Sequence, residues 1–309
     1  MNAFTFGGSV HTTDDSMLQM SVERVTGQTS RQVLDNLAIE EPLEIQITYG
    51  PRRLRGTRSI SVTMRTPGND FDLAAGFLMT EGVIRDANDI RHITNAGDPF
   101  SEDNPTSQVM DSLKLGSKQN VVRVELGTEV EVSLANLQRN FYTTSSCGIC
   151  GKASLLALRT VCPPRAKNDF RVDAQLLYDL PGRLRASQGV FDRTGGLHAA
   201  GLFDSTGNLS ALREDVGRHN AVDKLIGSEF LADRTPLRDR LLLLSGRASF
   251  ELLQKALMGG IQMVVAVGAP SSLAVQVAKE FDITLVGFLR EDHFNIYHGG
   301  ERIAGYTST

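Results

Sequence analysis

The last third of the chain alternates continuous apolar runs with amphipathic stretches. The runs DRLLLLSGR, QMVVAVGAP and ITLVGFLR predict strands that are buried on both faces. Between them, ASFELLQKALMGG and SSLAVQVAKEF have the apolar spacing of helices. Because β-α-β crossovers are almost always right-handed and join strands of one sheet, this order predicts a β-α-β-α-β unit built on a parallel sheet.

Shorter patterns predict the elements that come before this unit. LEIQITYG and SISVTMRT alternate as two paired strands, and PGNDFDLAAGFLMTEG predicts a helix that Asn69 or Asp70 caps and Gly82 ends. VVRVEL predicts a further strand. The stretch from Ala174 to Arg185 predicts a second helix, and GLHAAGLF, STGN and LSALRE then predict a hairpin.

These patterns divide the 309 residues into a small and a large α/β part. Residues 1–36 are rich in Thr, Ser, Gln and Asp, and they predict a poorly ordered arm. Residues 37–139 predict the smaller part and residues 140–309 the larger one. Within the first part, the polar, turn-rich stretch 97–120 predicts a loop.

Charge and composition narrow the classes of function. The formal net charge of -4 argues against general nucleic-acid binding, so an anionic ligand needs a local cluster of Arg and Lys. No apolar run is long enough to cross a bilayer and the N-terminus has no secretory signal, so we expect a cytoplasmic protein. Three cysteines in so long a chain predict free thiols rather than a disulfide scaffold, and Cys162 predicts a small residue that is at least partly buried.

Two of the cysteines lie in the loop TTSSCGICGK. Gly148 and Gly151 give the backbone the freedom to point both sulfurs the same way. Lys152 and the helical run ASLLALRT after it favour thiolate over thiol at Cys147 and Cys150. The loop therefore predicts reactive thiols. Half of a structural zinc site, a structural disulfide and chance remain alternatives for a lone C-x-x-C.

The carboxyl ends of the three predicted parallel strands carry groups that bind anions. In open α/β sheets, ligands gather at these ends. Ser249, Ser271 and Ser272 begin helices whose unpaired backbone N–H groups can hold an anion. Arg247 and Arg290 supply positive charge. Helix capping explains each serine alone, but three such ends with two arginines favour a nucleotide-like ligand.

A dense polar cluster lies in the segment EDVGRHNAVDKLIGSEF. Its members are Glu214, Asp215, Arg218, His219, Asn220, Asp223 and Lys224. A capped helix start with a solvated face is the plainer interpretation, and His219 alone favours it. Arg218 and His219 are also candidates for orienting a loop or a ligand.

With these pieces together, the chain resembles the formate dehydrogenase accessory sulfurtransferases of the FdhD family. The motifs that carry the resemblance are RTPGNDFDLAAGFLMTEGVI, TSSCGICGK, TGGLHAAGLFD, REDVGRHNAVDKLIG, SGRASFELLQKA, AVGAPSSLAVQVAKE and GFLREDHFNIY. They span the chain from about residue 40 to the C-terminus. No single motif is diagnostic, but their order and combination are highly specific.

The resemblance implies a sulfurtransferase that formate dehydrogenase needs for activity. Such a protein accepts sulfur as a persulfide from a cysteine desulfurase and passes it to the molybdenum bis(molybdopterin guanine dinucleotide) cofactor. The family motif places the persulfide on Cys147 and the second cysteine at Cys150. Cofactor binding in the family is attached to the last strand, which corresponds to Phe288, Leu289, Arg290, Glu291, Asp292 and His293. We expect GDP to mimic a fragment of this ligand, and we expect a homodimer without nucleic-acid or membrane partners.

The fold that the resemblance implies is a cytidine-deaminase-like three-layer α/β core with a smaller N-terminal α/β roll. Zinc deaminases need H-x-E ahead of P-C-x-x-C. Here His198 is followed by two alanines and comes after the cysteines, and no Pro precedes Cys147. We therefore expect no permanent metal. Sulfur transfer is favoured, with disulfide exchange of the thioredoxin kind and a non-catalytic cofactor chaperone as alternatives.

Overall fold

The computed structural model describes residues 16–95, 120–132 and 169–307, the backbone of residues 11–14, and the single residues 155, 158, 159 and 162. Three strands come first: β1 (His11–Asp14), β2 (Met17–Thr26) and β3 (Thr29–Ala38). They form an antiparallel sheet in the order β1-β2-β3.

This first sheet overturns one prediction. The poorly ordered arm predicted for residues 1–36 is wrong from residue 17 onwards, because β2 and β3 pair along their whole length. Gly27, with a φ of 62°, lies in the two-residue turn between them. The ribbon leaves Val25 67% exposed and Leu34 64% exposed. A ribbon that buries so little surface needs few apolar residues, so its composition resembles that of a disordered segment.

The smaller α/β part consists of four strands and a helix. Its elements are β4 (Glu41–Tyr49), β5 (Gly56–Arg65), α1 (Asp70–Thr80), β6 (Ile90–Asn95) and β7 (Val121–Leu126), with a 3-10 turn at Ala87–Asp89. The sheet order is β5-β4-β7-β6, and β4 and β7 run parallel. The predicted pairing of β4 with β5 is confirmed.

The ends of α1 follow the sequence signals in part. The helix stops where Gly82 takes a φ of 73°, as predicted. Asn69 occupies the position before the first turn with a φ of 57°, but its side chain makes no capping hydrogen bond. The loop predicted for residues 97–120 lies outside the described residues except for Asn120. That side chain accepts a hydrogen bond from Arg65 at 2.8 Å.

The larger α/β part contains a six-stranded sheet in the order β10-β9-β11-β12-β13-β14. Its first elements are β8 (Val172–Asp173), α2 (Ala174–Ser187), α3 (Gly189–Thr194), β9 (His198–Phe203), β10 (Leu209–Asp215) and α4 (Arg218–Leu231). They continue as β11 (Leu241–Leu244), α5 (Phe250–Met258), β12 (Met263–Ala266), α6 (Ser272–Glu280), β13 (Thr284–Gly287), β14 (Asn295–His298), a 3-10 turn (Gly300–Arg302) and β15 (Ile303–Ala304).

The predicted β-α-β-α-β unit is confirmed. Strands β11, β12 and β13 are parallel neighbours, and every residue in them is buried. Successive residues of β11 enter different cores. Leu242 and Leu244 pack in the core that contains α4, α5 and α6, whereas Leu241 and Leu243 pack in the core that contains α2. The sheet is therefore covered on both faces, which gives the larger part three layers.

Helices α1 and α4 join the smaller and larger parts at a very close backbone contact. A Cβ atom on Gly76 would lie 1.9 Å from the carbonyl oxygen of Asp223, and one on Gly227 would lie 1.9 Å from that of Asp72. Only glycine fits at both positions. One continuous apolar core accordingly runs from β4 and β7 through these helices to the larger sheet. Within the described parts of the chain, no helix is long and apolar enough to cross a membrane.

The polar cluster at the start of α4 is not solvated. The interpretation of this cluster as a capped helix start with a solvated face is therefore wrong. Asn220, Asp223 and Lys224 are 7%, 2% and 1% exposed, and Gly217 offers no side chain as a cap. These polar residues face other elements of the fold, so their hydrogen bonds are satisfied inside the protein.

Candidate functional site

The two cysteines of the C-x-x-C loop, Cys147 and Cys150, lie outside the described residues. Cys162 comes after the helical residues Leu158 and Arg159, and its N–H donates to Leu158 O at 2.9 Å. Its Sγ lies 3.9 Å from Met258 Sδ, and the side chain packs against the apolar core while remaining half-buried. The prediction of a partly buried packing residue is confirmed for Cys162.

The carboxyl ends of β11, β12 and β13 form one edge that backbone contacts hold together. Gly268 N donates to Gly246 O at 2.9 Å, and Phe288 N donates to Gly268 O at 3.1 Å. A Cβ atom on Gly268 would lie 2.9 Å from the backbone nitrogen of Arg247, so a larger residue would push the strand ends apart. The residues that follow each strand are thus held on a common backbone platform.

The last strand of the β-α-β-α-β unit, β13, is shorter than predicted. It ends at Gly287, and Phe288 then takes a left-handed φ of 52°. Leu289 turns into the core beside α2 and is fully buried. The Arg290 backbone N–H donates to His293 O at 2.8 Å, which closes a loop that leads to β14. The residues that the resemblance assigns to the cofactor therefore lie in a loop at the platform edge and not in a strand.

The guanidinium of Arg290 clamps two strand ends. Its Nη1 donates to Val267 O at 2.7 Å and to Leu289 O at 2.8 Å. The three residues after it, Glu291, Asp292 and His293, are exposed. His293 Nδ1 lies 2.7 Å from Asp292 Oδ1. Arg290 thus has a structural task in addition to its predicted contact with an anion.

The serines at the helix starts differ in what they do. Ser271 is the cap of α6, and its hydroxyl accepts a hydrogen bond from Ala274 N at 3.2 Å, so capping explains this side chain. Ser272 begins α6 and is exposed. Ser249 precedes α5 but makes no capping bond to that helix. Arg247 is exposed, and it forms no ion pair with any residue that the structure describes.

His198, which the sequence did not assign to the site, lies at the same edge as the candidate residue His219. The pairing of β9 with β10 sets His198 opposite Asp215, immediately before the turn into α4. The His198 ring packs against Gly246, since a Cβ atom there would lie 3.4 Å from His198 Nδ1. His219 Nε2 lies 3.4 Å from the Ser249 hydroxyl. Sequence motifs far apart in the chain thus meet at the end of β11.

Burial and nearby positive charge lower the pKa of both imidazoles. Burial lowers the pKa of His198 below its ordinary value, as does Arg218, while Asp215 opposes the shift. Burial, then Arg218 and Lys255, lower the pKa of His219 to about 4. The His219 side chain is 37% exposed, so solvent weakens the effect of these charges without changing its direction.

A buried ion pair fixes the turn from β10 into α4. Asp215 Oδ2 lies 2.7 Å from Lys224 Nζ, and Asp215 Oδ1 accepts hydrogen bonds from Gly217 N at 2.8 Å and Asn220 Nδ2 at 3.1 Å. Lys224 Nζ also donates to Thr66 O at 2.7 Å. The position of Arg218 and His219 at the edge therefore depends on contacts with the smaller α/β part.

Comparison with known proteins identifies the family. The family model described as FdhD/NarQ matches residues 38–304, nearly the whole chain. The chain belongs to the FdhD/NarQ family. This confirms the resemblance that the sequence motifs indicated.

Two relatives in this family are named as sulfur carriers. The "Sulfur carrier protein FdhD" of Streptomyces coelicolor is 50% identical over 272 residues, which covers 87% of this chain and 89% of the relative. The protein of the same name from Mycolicibacterium paratuberculosis is 48% identical over 290 residues, covering 92% of this chain and 98% of the relative.

A solved structure shares the fold. The crystal structure of a protein described as a formate dehydrogenase accessory protein from Desulfotalea psychrophila has a TM-score of 0.68 and covers 94% of this chain and 100% of its own. Its sequence identity of 23% supports the fold alone. The mixed α/β architecture is therefore shared with this structure.

In this FdhD/NarQ protein, the platform edge carries three arginines. Arg218, Arg247 and Arg290 follow β10, β11 and β13, and the neutral imidazoles of His198 and His219 lie beside the first. Among the described residues, no three His, Cys, Asp or Glu side chains are grouped as metal ligands. The charge and the hydrogen-bond donors at this edge suit an anion that carries several oxygens.

Proposed function

We propose that this protein is a sulfurtransferase that carries sulfur for formate dehydrogenase. The observation that supports the proposal most strongly is the 50% identity, over 87% of the chain, to a relative named "Sulfur carrier protein FdhD". The thiol loop with Cys147 and Cys150 supplies residues of the required chemistry, because a thiolate can accept and release sulfur. The reaction needs reduced cysteines, so we place it in the cytoplasm.

In the first proposed step, the Cys147 thiolate attacks the outer sulfur of a persulfide on a cysteine desulfurase. An S–S bond forms at Cys147 while the donor's S–S bond breaks, and the donor cysteine leaves as a thiolate. The charge is the same on both sides of this step. The product is a persulfide on Cys147.

In the second step, the Cys150 thiolate attacks the inner sulfur of the persulfide on Cys147. A disulfide between the two cysteines forms, and the outer sulfur leaves as hydrosulfide for the molybdenum bis(molybdopterin guanine dinucleotide) cofactor. The two cysteines supply the two electrons that reduce the transferred sulfur. A cellular thiol then reduces the disulfide and restores the carrier.

The platform edge is the proposed binding site for the nucleotide ends of that cofactor. Arg247 and Arg290 bind its phosphates, together with the backbone N–H groups at the start of α6, where Ser271 and Ser272 lie. The loop 288–293 borders the same edge, which supports its assignment to the ligand. The proposal includes a homodimer as the working form, formate dehydrogenase as recipient, and a cytidine-deaminase-like core.

Complementation of a bacterial strain that lacks its own family member tests the proposed function. Wild-type protein should restore formate dehydrogenase activity, and Cys147→Ala should not, although it accumulates to the same level. Cys162→Ala is the matched control and should restore activity, because Cys162 packs against the core. Restoration by Cys147→Ala would favour a cofactor chaperone over a sulfur carrier.

A further inference from the structure

Arg218 carries a buried guanidinium nitrogen that no described group satisfies, a property that it shares with Arg55. The Nε of Arg218 is buried and has no hydrogen-bond partner among the residues that the structure describes. By contrast, the Nε atoms of Arg65 and Arg213 each donate to a carboxylate, at 3.0 and 3.1 Å. A buried donor without an acceptor is costly, so such a group is expected to have a partner in the working protein.

The charges around Arg218 favour an anion as that partner. Asp215 is fully buried and is neutralised by Lys224 at 2.7 Å, so its carboxylate does not repel an anion. Glu251 is the opposing charge, at 3.9 Å from His219, but its side chain is 54% exposed and water screens it. The group then presents the Arg218 guanidinium, with Glu251 as its partly screened opposing charge.

The two imidazoles can provide further donors. His198 lies on β9 and His219 on α4, and Arg218 acts on the charge of both rings. A neutral imidazole has one N–H to donate. The Ser249 hydroxyl lies 3.4 Å from His219 Nε2 and also bonds to the Glu251 carboxylate. Side chains from β9, from α4 and from the residue before α5 therefore approach one another at the end of β11.

We propose that Arg218, His198 and His219 form a subsite for a tetrahedral oxyanion, such as a phosphoryl group of the ligand bound at the platform edge. The subsite rests on the proposed function, because it would bind part of the same ligand. It adds residues after β10 and at the start of β9 to the binding site. Arg218 supplies the charge and its Nε donor, and the imidazoles supply N–H donors.

Binding of an anion at this subsite takes up protons. Burial, Arg218 and Lys255 hold His219 neutral, with Glu251 and His198 as the other titratable groups facing it; Asp215 and Arg218 face His198. A bound anion opposes Arg218 and raises the pKa of both rings. Protons are therefore bound with the anion, and the affinity rises as the pH falls below neutral towards the raised pKa values of the rings.

Histidine NMR signals of the full-length protein titrated with sulfate provide the test. Sulfate keeps its charge over this pH range, so the proton uptake belongs to the protein. We expect saturable shifts of the His198 and His219 rings, assigned with His→Gln variants, and a rise of about one unit or more in their pKa with sulfate bound. His92 on β6 and sodium chloride at equal ionic strength control for screening.

Variants of Arg218 decide whether the subsite is real. Arg218→Gln should weaken sulfate binding about tenfold or more, the effect of losing a charged hydrogen bond. Arg218→Lys keeps the charge but lacks the Nε donor, so its affinity for sulfate should lie between those of the wild type and Arg218→Gln. Arg240→Gln, which changes a half-buried arginine before the amino end of β11, should bind sulfate like the wild type.

Two outcomes would overturn the subsite. One is a response of His198 and His219 to sulfate no larger than that of His92. The other is unchanged binding in folded Arg218→Gln or, if that variant does not fold, in Arg218→Lys. Sulfur loading of Cys147 in the same preparation separates this result from the proposed function: loading that persists while sulfate binding is lost leaves the carrier function intact.

Discussion

Lys224 Nζ lies 2.7 Å from Asp215 Oδ2, and the two side chains are 2% and 0% exposed. Both groups also bind the backbone of Thr66: Lys224 donates to its carbonyl at 2.7 Å, and Asp215 accepts from its N–H at 3.2 Å. The pair thus ties the start of α4 to the segment between β5 and α1. The smaller and larger parts of the protein meet at this ion pair.

Replacing Lys224 with methionine should be strongly destabilising. The change leaves the Asp215 carboxylate buried without its counter-charge, which costs roughly 3–5 kcal/mol in the free energy of unfolding. Urea denaturation followed by circular dichroism measures this. The control is Arg91→Met, which breaks an ion pair with Glu125 in which Arg91 is 61% exposed, and it should cost less than about 1 kcal/mol. Equal effects of the two changes would show that the buried pair contributes little.

Replacing Gly76 with alanine should separate α1 from α4. The new methyl group would lie 1.9 Å from the carbonyl oxygen of Asp223, and backbone cannot move aside as a side chain can. We expect a loss of about 3 kcal/mol or more in the free energy of unfolding.

Gly182→Ala is a control that should change the free energy of unfolding in the opposite direction. Gly182 lies in α2 with no atom within 4 Å of its added Cβ, so alanine should stabilise the helix by up to about 1 kcal/mol. Chemical denaturation of both variants gives the comparison. A Gly76→Ala protein as stable as the wild type would contradict the close contact between the helices.

GDP should bind at the platform edge, and Arg247 gives the cleaner test. Arg247 is exposed and pairs with no described acidic residue, so Arg247→Ala should weaken binding by about 1.5–3 kcal/mol with an unchanged melting temperature. Arg290→Ala should weaken binding similarly but should also lower the melting temperature, because Arg290 holds Val267 O and Leu289 O.

Calorimetric titration of GDP measures these affinities. Arg58→Ala removes an exposed arginine on β5 in the other sheet, and it should bind GDP like the wild type. Cys147→Ala should also bind normally, because the sulfur carrier and the nucleotide site are assigned to different segments. Equal binding by wild type, Arg247→Ala and Arg290→Ala would remove both arginines from the proposed site.

Local patterns predicted the regular part of this fold. The apolar runs of β11, β12 and β13 are long enough to specify buried parallel strands, and the signals at Gly82 and Ser271 ended and began helices where the structure has them. Strands β6 and β14 were not predicted. The ribbon of β2 and β3 was missed because it is mostly exposed and has few apolar residues.

The polar interior could not be read from local sequence. Asp215 and Thr66 are hydrogen-bonded across 149 positions, so the polar run at the start of α4 gave no sign that its residues are buried. The left-handed φ that ends β13 likewise falls on Phe288 and not on the glycine before it, so no sequence signal marked it. The arginines after the carboxyl ends of the strands were predicted from sheet topology. The proximity of His198 to His219 was not, because it depends on which strands are neighbours in the sheet.

Intact-mass analysis tests the central claim most directly. The purified protein is incubated with a cysteine desulfurase and cysteine, and its mass is measured before and after treatment with a reductant. We predict mass increments of one sulfur atom on the wild type and on Cys162→Ala, lost on reduction, and no such increment on Cys147→Ala. A Cys147→Ala protein that gains sulfur as the wild type does would contradict the assignment of Cys147 as the sulfur carrier.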